Sequence, residues 1–214
     1  IKPSKGALPF LRGLLYGASA ITLLTGILYL KGDIKFVSFS LKPGFFMMFL
    51  FFGSVSLFEE VLTRGVLQHA FSIKGFHKWA VLFPSVLFGL LHLGNESVSF
   101  IAIFNTTLIG IILALGVHLG KNIYPALGFH LTWNFFLSIV YGLTVSGLDL
   151  PEYSLLQAQV LRADIWNGGA YGIEGGLFCT ILFIIILIFQ LRLLMSRKAE
   201  ALSGTAVAAE EDLS

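Results

Sequence analysis

Six apolar stretches, near residues 9–30, 44–70, 79–94, 97–118, 122–142 and 172–195, leave this chain few folds to choose from. Each is long enough, or nearly so, to cross about 30 Å of hydrocarbon as a helix of about 20 residues. No water is present at that depth to satisfy an open strand edge, so helices that bond their own backbone are the solution. The balance of 56% hydrophobic to 12% charged residues agrees, because soluble domains carry roughly a quarter charged residues. The reading is an all-α, multi-pass transmembrane bundle of about six helices, forming one membrane-embedded domain over 1–195. Residues 196–214 are rich in Ala, Ser and Glu, show no periodic apolar face, and read as a disordered polar tail.

A net charge of +2, with Lys and Arg scattered between apolar runs, excludes nucleic acid as a partner and leaves the lipid bilayer as the surroundings. The single cysteine, Cys179, permits no intrachain disulfide and no thiolate metal site. Ile1 opens the chain without a visible leader, which reads as a processed or partial product that has lost upstream sequence. Lys2, Lys5 and Arg12, Lys74 and Lys78, Lys121, and Arg192, Arg197 and Lys198 all fall on one side of a six-helix topology. The positive-inside rule then puts both termini on the cytoplasmic side of a bacterial or organellar inner-type membrane. Lys31, Lys35 and Lys42, in the first loop on the other side, oppose that orientation.

Ionisable groups inside such runs are expensive and mark function. Glu59, Glu60 and Arg64 follow the charge-free run Gly44–Phe58; His92 sits in the third run; His130 and Asn134 sit in the fifth. Helical spacing puts Glu60 and Arg64 on one face at i, i+4, where they neutralise each other, and turns Glu59 about 100° away from that pair. At about 1.5 Å per residue, Glu59 and His92 stand at similar heights, roughly 22 Å, above the turn near Lys74 that joins their helices. His130 and Asn134 share a face one turn apart. Hydrolysis of an amide by water needs a base, a partner that orients the water or returns the proton, and donors for the oxyanion. These residue types meet those needs, so the motif-bearing core spans about 44–142 and the second to fifth helices. The first and fourth runs, rich in Leu, Ile and Ala, and the sixth read as scaffold. The long connection Leu143–Tyr171 reads either as a cap over a cavity, with a short amphipathic helix near Tyr153–Leu161, or as an exposed linker.

Glu59-Glu60-x-x-x-Arg64, Phe88-x-x-x-His92 and His130-x-x-x-Asn134, in this order on successive apolar helices, resemble the three motifs of the CAAX protease and bacteriocin-processing (CPBP, or Abi) family of intramembrane glutamic proteases. The Gly-Gly-Ala-Tyr-Gly-Ile-Glu-Gly stretch resembles the region before the last helix of bacterial members. The resemblance implies a peptidase with Glu59 as catalytic base, His92 as its partner on the water, His130 and Asn134 as the oxyanion hole, and Glu60 and Arg64 in support. Phe88 reads as packing. Two histidines and two carboxylates could hold zinc, but no HExxH is present and the histidines lack local ligand spacing, so the expected cofactor is none and the expected metal is none. The expected partner is a peptide or protein substrate. The alternative is a catalytically silent scaffold of the same fold, docked to other membrane proteins.

Overall fold

A computed structural model describes residues 6–211, with side chains through Glu200. Seven α-helical segments run in order: α1 Ala7–Lys31, α2 Phe45–Glu60, α3 His69–Ile73, α4 His77–Leu91, α5 Phe100–Gly120, α6 Tyr124–Phe135 and α7 Leu177–Glu211. A π-helical stretch, Val61–Gln68, joins α2 to α3 without a break, and a second, Phe136–Val140, extends α6. Each of the six apolar runs is therefore helical, and the chain is a helical membrane bundle. Among the described residues four helices are long and apolar enough to cross a membrane, at Ala7–Lys31, Phe45–Ile73, Phe100–Gly120 and Leu177–Glu200. With 15 residues, α4 is only about 22 Å long and ends at His92.

Lipid tails are as apolar as leucine, so helices in a bilayer associate where small residues let backbones approach. α1 lies along α6 through Gly13, Gly17 and Gly128. A Cβ on Gly17 would run into the Phe129 carbonyl and the Thr132 hydroxyl, and one on Gly128 into the Phe10 carbonyl. Thr132 Oγ1 seals this seam by donating to the Leu14 carbonyl at 2.8 Å. α4 and α5 meet in the same way: Gly89 faces Thr107, and Gly110 faces Ser85. These two seams fix the motif-bearing α4 and α6 against scaffold helices.

At one end of the bundle the His77 and His118 rings lie 6.4 Å apart, and Arg197 donates to the Leu119 carbonyl at 2.9 Å. At the other end strand β1, Ile34–Phe39, pairs antiparallel with β2, Leu156–Val160, in the register Ile34↔Val160 to Phe39↔Leu156 with an irregularity between Phe36 and Ser38. The amphipathic helix expected near Tyr153–Leu161 is thus a strand preceded by a 3₁₀ turn, Pro151–Tyr153. Its sequence Leu-Gln-Ala-Gln-Val alternates with period two, the strand signature, and β1 supplies the edge it pairs with. The ribbon is anchored by Asp33, whose carboxylate is fully buried, accepts from Lys31 Nζ at 2.7 Å, and also accepts from Asn167 Nδ2 at 3.3 Å. α7 continues to Glu211, where the composition had suggested a disordered tail from 196. An Ala-rich segment propagates a helix that the apolar span has already nucleated. Residues 212–214 of that expected tail lie outside the described residues.

The α1–α6 seam makes a direct prediction. Gly17→Val and Gly128→Val, measured by thermal unfolding in detergent, lower stability by about 1–3 kcal/mol each, the range for overpacking a fitted contact. Gly26→Ala, where a Cβ meets nothing within 4 Å, leaves the melting temperature unchanged or raises it.

Candidate active site

The site is built around a carboxylate that has no access to solvent. Glu60, with a side chain 0% exposed, accepts from Arg64 Nη1 at 2.7 Å across the expected i, i+4 spacing, and the Arg64 side chain is 1% exposed. The pair survives the change to π-helical winding just beyond Glu60, a feature that recurs at functional sites. Arg64 also donates to Thr63 Oγ1 at 2.7 Å and to the Gly110 carbonyl at 3.2 Å, while Gln68 donates to the Ala114 carbonyl at 2.8 Å. Two side chains four residues apart therefore reach two carbonyls four residues apart on α5. This fixes the rotation of the motif helix about its axis. The guanidinium lies over the Phe88 ring, 5.0 Å from its centroid.

Glu60 is shared. Its Oε1 also lies 3.0 Å from Nδ1 of His130 on α6. A carboxylate facing an arginine can only accept, so Nδ1 carries the proton and Nε2 is turned outward. Nε2 lies 3.5 Å from Oε2 of Glu59, whose side chain, 29% exposed, faces a cavity. The neighbouring carboxylates are thus divided as the spacing implied: Glu60 is enclosed and committed, Glu59 is accessible. His92 is organised by the same logic. It caps α4 with φ −88° and ψ 0°, and its Nδ1 donates to the Phe88 carbonyl at 2.8 Å, one of the carbonyls a helix end leaves unmatched. That leaves His92 Nε2 free as well. Phe88 packs edge-on against both rings, 4.9 Å from His92 and 6.1 Å from His130, which is the packing role expected of it.

Glu59, His92, His130 and Asn134 line one cavity of about 730 Å³. Among the described residues no group of three or more His, Cys, Asp or Glu side chains is arranged to hold a metal ion. The sequence reading missed Glu174, Trp133 and Asn105, which line the same cavity. Glu174 Oε1 accepts from Trp133 Nε1 at 2.8 Å, and Oε2 accepts from the backbone and hydroxyl of Ser146. Asn105, from the run read as plain scaffold, donates to the carbonyls of Glu174 and Gly176 at 2.8 and 3.0 Å and accepts from Thr180. An intramembrane Asn in α5 and a lone acid among glycines were the available signals. The Leu143–Tyr171 connection takes part too, through Val145 to Asp149 in the cavity wall.

Removing Arg64 leaves the buried Glu60 carboxylate with His130 alone, whereas replacing both partners removes the buried charge. Arg64→Met should cost about 3–5 kcal/mol, and adding Glu60→Gln should recover part of it. A double-mutant cycle on melting temperatures in detergent checks this, and additivity would mean the pair does not interact.

Compared with known families, residues 41–136 match the model described as type II CAAX prenyl endopeptidase Rce1-like. No curated protein and no solved structure matches the chain. The matched residues hold all three motifs, with the walls they give to the cavity, and over this core the chain is similar to the Rce1-like type II CAAX prenyl endopeptidases of the CPBP family.

Proposed function

We propose that the protein is an intramembrane endopeptidase of the CAAX-processing type, acting through water activated by Glu59 and His92. The observation that carries this reading is the convergence of Glu59, His92, His130 and Asn134 on a single cavity, backed by the family of the core. Glu59 takes a proton from a water molecule held against His92 Nε2, and the hydroxide adds to the scissile carbonyl carbon. The carbonyl oxygen becomes an oxyanion facing Asn134 and His130. His130 donates from Nε2 when its ring carries both protons, with Glu60 and Glu59 on either side to balance that charge. As the C–N bond breaks, the proton on Glu59 passes to the departing amine, which restores the carboxylate. Glu60 and Arg64 hold His130 and the motif helix and exchange no atoms with substrate. Glu59, His92 and His130 suffice for this chemistry without a metal.

The test is turnover of a peptide library by detergent-solubilised protein. Glu59→Gln and His92→Ala should each lower kcat by about 10²–10⁴-fold while leaving the melting temperature within a degree or two. Full activity in either variant would remove the assignment. Activity should persist after exhaustive chelation, and loss with recovery on added zinc would replace the glutamate mechanism by a metal one.

A further inference from the structure

Glu174 lies outside the matched residues 41–136 and outside the three motifs, yet its carboxylate meets α6 one residue short of Asn134. Oε1 accepts from Trp133 Nε1 at 2.8 Å, and Oε2 accepts from the Ser146 hydroxyl at 2.9 Å and from the Ser146 backbone N–H. Both oxygens are engaged, and every partner is a donor. The turn that carries Glu174 is itself held, because Asn105 on α5 donates to the Glu174 and Gly176 carbonyls and a Cβ on Gly176 would run into the Trp166 carbonyl. The carboxylate is therefore a fixed point. What it fixes is Trp133, 4% exposed, with its ring 5.6 Å from that of Phe129 and 5.3 Å from that of Phe183.

Asn134 depends on such a point. It lines the cavity, but among the described residues none hydrogen-bonds its side chain. One turn earlier His130 is held by Glu60, and two residues later, at Phe136, the winding becomes π-helical. Between them Thr132 ties α6 to α1 and Trp133 ties it to Glu174. Adjacent helical residues stand about 100° apart on one backbone, so a rotation that shifts the indole shifts Asn134 with it. Resting on the peptidase reading above, we infer that Glu174 is a positioning residue for the reaction: through Trp133 it holds α6 at the rotation that presents the Asn134 amide to the oxyanion. It exchanges no atoms with substrate. The oxyanion forms on the way to the transition state, so a displaced Asn134 lowers kcat and spares substrate binding. Glu174→Gln keeps the shape of the side chain and removes this function. Its amide offers one oxygen and one NH2 to two fixed N–H donors, so one of them must face the NH2. Trp133→Phe removes the same bond from the other end and keeps a ring against Phe129 and Phe183.

The test has a kinetic and a spectroscopic arm, both on full-length protein in detergent. With a peptide that the wild type cleaves, Glu174→Gln and Trp133→Phe should each lower kcat about 10–100-fold with KM within about threefold, the scale on which displaced groups cost rate. A peptide whose scissile amide is replaced by a phosphinate, which mimics the tetrahedral intermediate, should lose affinity by the same factor as kcat/KM. The uncleaved peptide should bind Glu59→Gln protein equally with and without Glu174→Gln. The double variant should be no slower than the slower single one. Strict additivity, or a loss shared equally by mimic and substrate binding, would make Glu174 a stabilising residue only and overturn the inference. The second arm does not need turnover. In protein labelled with ¹⁵N-asparagine, Glu174→Gln should move the side-chain amide signals of Asn134 and leave those of Asn122, before the start of α6, in place. If Glu174→Gln does not fold, Trp133→Phe carries the same comparison. Asn134 signals that stay in place overturn the inference. Moved Asn134 signals in a protein that cleaves no peptide keep it and remove the peptidase reading; cleavage with kcat unchanged by Glu174→Gln does the reverse.

Discussion

The buried contact of Glu60 with Arg64 and His130 is the constraint on which the rest of the site depends. An ion pair this deep costs desolvation that its Coulomb attraction only roughly offsets, so it is weak evidence for stability as such. Its effect is geometric. One carboxylate oxygen receives both the guanidinium and the His130 Nδ1–H, which links the motif helix to α6, while the guanidinium continues to the α5 carbonyl of Gly110. Three helices are brought to one point. The adjacent Glu59 is placed at the cavity, beside the Nε2 that this arrangement leaves outward.

Packing around that point is divided between two kinds of contact. Glycine seams on α1–α6 and α4–α5 set helix spacing by backbone contact alone, without chemical specificity. The polar side chains Arg64, Gln68, Asn105 and Thr132 then fix rotation and register by donating to carbonyls on neighbouring elements. The connection after α6 closes the assembly by folding back as β2 on β1 and as the glycine-rich turn that delivers Glu174 beside Trp133. Gly172, at φ +97° and with the Thr144 carbonyl where a Cβ would stand, is a position in that turn that only glycine fills without strain.

Much of this was legible from residue type and local spacing. Ionisable groups within apolar runs pointed to the helices that line the cavity, and i, i+4 geometry separated the enclosed Glu60 from the accessible Glu59. The motif order on successive helices pointed to the family that the core resembles. What the sequence hid was non-local. No spacing rule says that a glutamate 41 positions beyond Trp133 returns to accept its indole N–H, or that His130 will sit between both carboxylates. The winding change at Val61–Gln68 has no composition cue either. The strand at Leu156–Val160 was missed for a different reason: a five-residue alternating segment needs a partner edge, and that edge lies about 120 residues earlier.

The protonation of His130 tests the central contact most directly. In protein labelled with ¹⁵N-histidine, Glu60 should hold a proton on Nδ1, giving that nitrogen the shift of a protonated ring nitrogen, whereas Glu60→Leu should release it. A bare Nδ1 in the wild type, with the proton on Nε2 alone, would contradict the account, because His130 would then be oriented by something other than Glu60.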